Sequence, residues 1–295
     1  MNTLQAKDRA GLLVVLAYLF VCFLLLSAGE GAAAQLPTDP KEISLLKAAQ
    51  VITSTLFFIV PVTLFCRFMR PERTAFLNMR VAPHLYFLIT AAACIFFALP
   101  AVAGLEQWNE SIHLPSAMSG TETWMRQKET EAEKVYLLFF EDKSTLGLIV
   151  NLLVMAVIAA LSEELFFRGL LQQMFIKNKM NAHVAIWITA ILFSAFHLQF
   201  FGFLPRMFLG VILGYLYYIT QNLWVSIGAH FFNNAFAVVS VHLFSEEVSS
   251  TPTGPTPENT ISIAFILLSM VMVAGQLWFL HRFVKRMQAP PTNYE

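Results

Sequence analysis

Residues 153–171 read LVMAVIAALSEELFFRGLL, an apolar run broken by two adjacent acids and an arginine. The run is too continuous for a barrel strand, which is about ten residues long with strict alternation. Backbone groups in hydrocarbon need internal partners, so a spanning segment of this kind is a helix. The stretch therefore predicts a transmembrane helix carrying Glu163, Glu164 and Arg168 inside it. Ionisable side chains in a bilayer are costly; they face a bundle interior or a wet cavity and mark a functional site. Two further apolar stretches repeat the pattern. His197 ends AIWITAILFSAFH (185–197), and His230 with Asn234 punctuates WVSIGAHFFNNAFAVV (224–239).

Composition agrees with that reading. The 295 residues are 57% hydrophobic and only 13% charged, with 28 phenylalanines and 13 glycines, and mean hydropathy is +0.63. A soluble domain is about 25% charged. The formal net charge is zero, so nothing points to nucleic acid as a partner. Cys22, Cys66 and Cys94 are odd in number and lie in or beside apolar runs, with no metal-ligand spacing; they read as lipid- or core-facing fillers.

Eight spans are predicted, at about 11–28, 43–66, 84–104, 144–166, 182–199, 203–220, 222–244 and 260–283. Each is about 17–25 residues, enough to cross a core of about 30 Å. The fold class is thus all-α, a polytopic helix bundle. Basic residues mark alternate connections: Lys7 and Arg9; Arg67, Arg70, Arg73 and Arg80; Arg168, Lys177 and Lys179; and Arg282, Lys285 and Arg286. The positive-inside rule then places both termini in the cytoplasm. The pattern reads as a multi-pass protein of a bacterial inner (plasma) membrane. Lys7, Arg9, the apolar run 12–26 and GAAAQ also fit a secretory signal, but a retained helix is the expectation. The chain is one membrane domain in three parts: 1–143, N-terminal helices and an external loop; 144–245, the chemical core; and 246–295, an external loop, a last helix and a cytoplasmic tail. Loop 105–143 is expected to be the longest soluble piece, with 135–140 at the interface, and 251–258 (TPTGPTPE) to be non-helical.

Within the core, Glu164 and Arg168 are four apart and share a helix face, whereas Glu163 is rotated by about 100°. One acid is therefore tied structurally and the other is free. Phe193 and His197, and His230 and Asn234, repeat the four-residue spacing. A lone histidine in an apolar helix is usually a satisfied core residue; two on separate helices with a free glutamate point to chemistry. With cytoplasmic boundaries near Lys177, Ala182 and Asn222, Glu163, His197, His230 and Asn234 lie about 21, 22, 12 and 18 Å deep, a layer roughly 10 Å thick. Other histidines sit at span ends or in loops, and Tyr215, Tyr217 and Tyr218 read as an interfacial belt.

The motifs Glu-Glu-x-x-x-Arg (163–168), Phe-x-x-x-His (193–197) and His-x-x-x-Asn (230–234) resemble the signature of the CPBP intramembrane proteases, which include CAAX prenyl endopeptidases and Abi proteins. The resemblance covers about residues 144–245. It implies that Glu163 and His197 activate water, that His230 and Asn234 stabilise the oxyanion, and that Glu164, Arg168 and Phe193 support them. It also implies a membrane-tethered peptide or protein as substrate, in contact with the lipid bilayer. Glu163, His197 and His230 are equally the ligand types of a catalytic zinc site, yet no His-Glu-x-x-His motif is present. The chain does not choose between a divalent metal such as zinc and a metal-free pair, although members of that family are commonly classed as metalloproteases. Two other functions fit buried acids and imidazoles: a proton-coupled transporter, and a non-catalytic immunity or scaffold protein. No inverted repeat or broken span supports the first.

Overall fold

The structure is a computed structural model that describes residues 3–29, 39–69, 72–250 and 261–288. The expectations for the GAAAQ segment and for TPTGPTPE lie outside the described residues. Nine longer helices follow one another among those described: α1 (Thr3–Gly29), α2 (Pro40–Met69), α3 (Leu85–Glu110), α4 (Ser119–Leu138), α5 (Thr145–Lys177), α6 (Ala182–Ala195), α7 (Phe203–Thr220), α8 (Leu223–Ser250) and α9 (Ile263–Gln288). No strand occurs among the described residues. The all-α expectation holds.

Among the described residues six helices are long and apolar enough to cross a membrane: α2, α3, α5, α7, α8 up to Phe244, and α9 up to Met287. The expected 11–28 segment is helical within α1 but is not among those six. The expected span 182–199 ends at Ala195, and its 14 residues reach about 21 Å at 1.5 Å per residue, short of a core of about 30 Å. The apolar residues beyond it form a loop in which Leu198 has a left-handed φ of 54°. The long external loop is also more regular than expected. α3 continues to Glu110, α4 fills most of the remainder, and Phe139 and Phe140 are buried in a cluster with Ile43 and Val238 rather than resting at an interface.

Local chemistry sets these boundaries. The Ser144 hydroxyl accepts from Gly147 N at the start of α5, and Asn181 Oδ1 accepts from His183 N at the start of α6, satisfying otherwise orphaned amides. α7 stops at Gln221 in the left-handed region, and Asn222 caps α8 by accepting from Trp224 N. Pro100 interrupts α3. There the Ser269 hydroxyl of α9 donates to Phe97 O and accepts from Ala101 N, tying α9 to the turn that holds the proline.

α6 and α7 pack closely. A Cβ on Gly210 would lie 3.1 Å from Ala190 Cβ, and one on Gly214 would lie 2.8 Å from Ile186 Cγ2. The approach also exposes carbonyls to α5: Arg168 Nη2 donates to Gly210 O at 3.0 Å, and Gln172 Nε2 donates to Gly214 O at 3.1 Å. Tyr217 is buried and bonded to Asn78 and Gln173, so it is a core residue and no part of an interfacial belt. All three cysteines are buried.

The contacts define two ends of the bundle. At one end Asn178 meets Asp8 O, Asn78 meets Tyr217, Asn222 meets Val81 O, and the Phe283 ring packs at a tilt on Tyr86. At the other, Asn109 meets Phe200 O, Lys47 meets Phe139 O, and Ile261 N meets Gln107.

Candidate active site

α5 is not a uniform helix. π-helical stretches at Leu152–Ile158 and Leu165–Gln172 flank the turn Ala159–Glu164. Such bulges shift side-chain register and recur at functional sites. They leave Glu163 and Glu164 facing different surroundings.

Glu164 is fully buried, as is Arg168. Its Oε1 accepts from Arg168 Nη1 at 2.6 Å and from His230 Nδ1 at 2.9 Å, and its Oε2 accepts from the Ser226 hydroxyl. The guanidinium lies 4.6 Å from the Phe193 ring centroid. Removing two charges from water is costly, and a buried pair is tolerated only when its remaining lone pairs and N–H groups are engaged. Three donors satisfy the carboxylate, and its partner has a carbonyl and a ring, with only Arg168 Nε left without a hydrogen bond among the described residues. This is the expected structural acid.

Glu163 points elsewhere. Its Oε2 is 3.8 Å from His230 Nε2, too long for a direct hydrogen bond. Glu163, Phe193, His197, His230 and Asn234 together line one cavity of about 240 Å³. A second cavity of about 440 Å³ shares Glu163 and His197 and is otherwise walled by α2, α4 and Phe196. The carboxylate and imidazole thus stand where the two cavities meet.

The hydrogen bonds assign ring nitrogens. His197 Nδ1 lies 2.9 Å from Phe193 O. A carbonyl only accepts, so Nδ1 carries the proton and Nε2 presents a lone pair. His230 Nδ1 faces a carboxylate and is likewise the N–H donor. Asn234 Nδ2 donates to Met155 O at 3.0 Å, and its Oδ1 accepts from Asn233.

His197 sits on the loop after α6, and that loop is clamped. Asn109 Nδ2 donates to Phe200 O at 2.9 Å, while its Oδ1 accepts from Leu204 N. From α4, Trp124 packs on Phe200, the Arg126 guanidinium lies 4.2 Å from the Phe201 ring centroid, and Glu129 accepts from Phe201 N. Burial pushes the Glu129 carboxyl above the usual range. Near the start of α4, hydrogen bonds from His113, Leu114 N and Arg126 hold Glu122 down at about 2.

Two residues of this assembly escaped the sequence reading. Ser226 lies four before His230 on the same face, so the spacing that links His230 with Asn234 also marks it. Arg206 lines the smaller cavity and donates to Gln199. It is a charge inside an apolar run, the criterion that singled out Glu163.

Among the described residues no three His, Cys, Asp or Glu side chains converge in a way that could hold a metal ion.

Residues 145–236 match the family described as Rce1-like, type II CAAX prenyl endopeptidase. The "Uncharacterized protein YpbD" of Bacillus subtilis (strain 168) is 29% identical over 89 residues, which are 29% of this chain and 42% of that protein. The chain thus spans about two fifths of the length of this curated relative. No solved structure matches the chain. The match covers the stretch that holds both carboxylates, both imidazoles and the amide, and over that stretch the chain is similar to the Rce1-like family.

Proposed function

We propose that the chain is an intramembrane endopeptidase that hydrolyses a peptide bond of a membrane-associated substrate, of the CAAX type that the family description names. The observation that carries this reading is the shared cavity: Glu163, His197, His230 and Asn234 come from three separate segments yet line one space. Glu163, the acid without a buried cation of its own, takes a proton from water as the water oxygen bonds to the scissile carbonyl carbon. His197 orients that water through its Nε2 lone pair. The tetrahedral oxyanion accepts from the second N–H of Asn234 Nδ2 and from His230 Nε2, which donates only from the imidazolium form. The proton passes from Glu163 to the amide nitrogen as the C–N bond breaks, which releases an acid and an amine. No step is routed through a metal.

The test uses detergent-purified full chain with lipidated and unlipidated peptides, with and without a chelator. Glu163→Gln is expected to lower turnover by about 10²–10⁴-fold, the worth of a general base, and chelation to leave the rate unchanged. Undiminished cleavage by Glu163→Gln ends the reading.

A further inference from the structure

Two arginines stand beside the candidate site, and their partners differ. Arg168 has the Glu164 carboxylate at 2.6 Å. Arg206, in the first turn of α7, donates only to neutral acceptors, Gln199 Oε1 at 2.7 Å and Gln199 O at 3.4 Å. Among the described residues no carboxylate forms an ion pair with it. An arginine within an apolar span is costly and is kept where it meets an anion or lines a wet cavity.

The guanidinium has a fixed seat. Gly202 leaves room for it, since a Cβ there would lie 2.6 Å from Arg206 Nη2. Both residues line the cavity of about 240 Å³ that Glu163, His197, His230 and Asn234 share. If compact, that space is roughly 8 Å across, the reach of two or three extended residues at about 3.3–3.6 Å each. Glu106 lines it as well. Carboxylates at Glu106 and Glu163 repel an anion elsewhere in the cavity, so a carboxylate is favoured only against the guanidinium. The fork of an arginine matches that group with two parallel N–H donors.

We propose that Arg206 is a specificity-determining residue that binds a carboxylate of the substrate, two or three residues from the scissile bond. The proposal rests on the endopeptidase reading for its substrate. The carboxylate is either the free C-terminus or an acidic side chain. In the first case the smaller cavity holds the departing C-terminal fragment, and cleavage falls close to a chain end.

Glu163→Gln in the detergent-purified full chain stops turnover, so binding is read alone. The probe is a fluorescent, prenylated Cys-Ala-Ala-Leu peptide in three forms: the free acid, the terminal amide, and the amide with Glu as its last residue. The acid or the Glu amide is expected to bind at least about tenfold tighter than the plain amide, the worth of a charge-assisted fork, and the tighter of the two identifies the source of the carboxylate. Adding Arg206→Gln is expected to bring all three within about twofold of one another. Gln199→Glu covers a failure of that variant to fold. It keeps an acceptor for Nη2 and gives the guanidinium a carboxylate of its own, so the preference is expected to vanish there too. A residue that merely propped the His197 loop would weaken all three peptides alike and leave the preference in place. Equal binding of the three forms while Arg206 is intact overturns the proposal, as does a preference that survives in either variant. If the preference is found and lost as expected, yet the chain with Glu163 restored cuts none of the peptides, the anchor stands and the endopeptidase reading fails.

Discussion

At the residue scale, two adjacent glutamates have different fates because their partners differ. Glu164 holds Arg168, Ser226 and His230 at once, while Glu163 faces cavities. Glu164→Gln leaves Arg168 as a buried charge without its anion, and breaking such a pair costs about 3–5 kcal/mol. The expected outcome is a clear fall in the apparent Tm of detergent-solubilised protein for Glu164→Gln and none for Glu163→Gln. Equal Tm values for the two variants would contradict the division of labour. The pairing of Glu164 with Arg168 was legible because helix geometry brings residues four apart together. The bond from His230 to Glu164 was not, because it joins α5 to α8 and depends on how those helices rotate. It also bears on chemistry, since a carboxylate on Nδ1 holds the ring in place while His230 lines the cavity beside Glu163.

At the element scale, hydropathy located the helices well and their ends poorly. Residues 196–203 (FHLQFFGF) are as greasy as a span, so a sum of transfer energies runs on through a loop whose turn is set at Leu198. The π-helical stretches were equally invisible, since they change hydrogen-bond register without changing composition. The small residues of α7 were readable as a close-packing face, and the structure supplies what they pack on. Gly214→Ala would place a methyl 2.8 Å from Ile186 Cγ2 and 2.9 Å from Gln172 Oε1. Overpacking of this kind costs about 1–3 kcal/mol. Gly275→Ala in α9 meets nothing within 4 Å, and there alanine's better helix propensity is expected to stabilise by about 0.5–1 kcal/mol. Thermal unfolding of both variants in one detergent should shift in opposite directions.

At the scale of the whole molecule, the site depends on an element outside the membrane. α4 carries an acidic face that invited a reading as a solvated loop, and only the assembled bundle brings it onto the segment that bears His197. Its grip has a pH dependence with two opposite slopes. Glu122, depressed to about 2 by its hydrogen bonds, contributes stability that is present above its ordinary value and is lost as pH falls through about 2. Glu129, raised by burial, binds more protons folded than unfolded just above the ordinary carboxylate range, so stability falls as pH rises through that window. Arg206, Glu133 and the amides of Phe200 and Phe201 face Glu129, and Glu106, Glu110 and Arg126 stand around the same cluster. Docking of α4 is therefore expected to be tightest in mildly acid solution and looser at neutral pH. Glu129→Gln keeps an oxygen to accept from Phe201 N but carries no charge to desolvate. Hydrogen exchange of residues 196–202, corrected for intrinsic rates, should show protection declining between pH 5 and pH 8 in the native chain and staying level in Glu129→Gln. The same loss of protection in both would place the titration elsewhere, and a loss in the variant at every pH would mean that the charge itself, rather than the acceptor, holds α4 down.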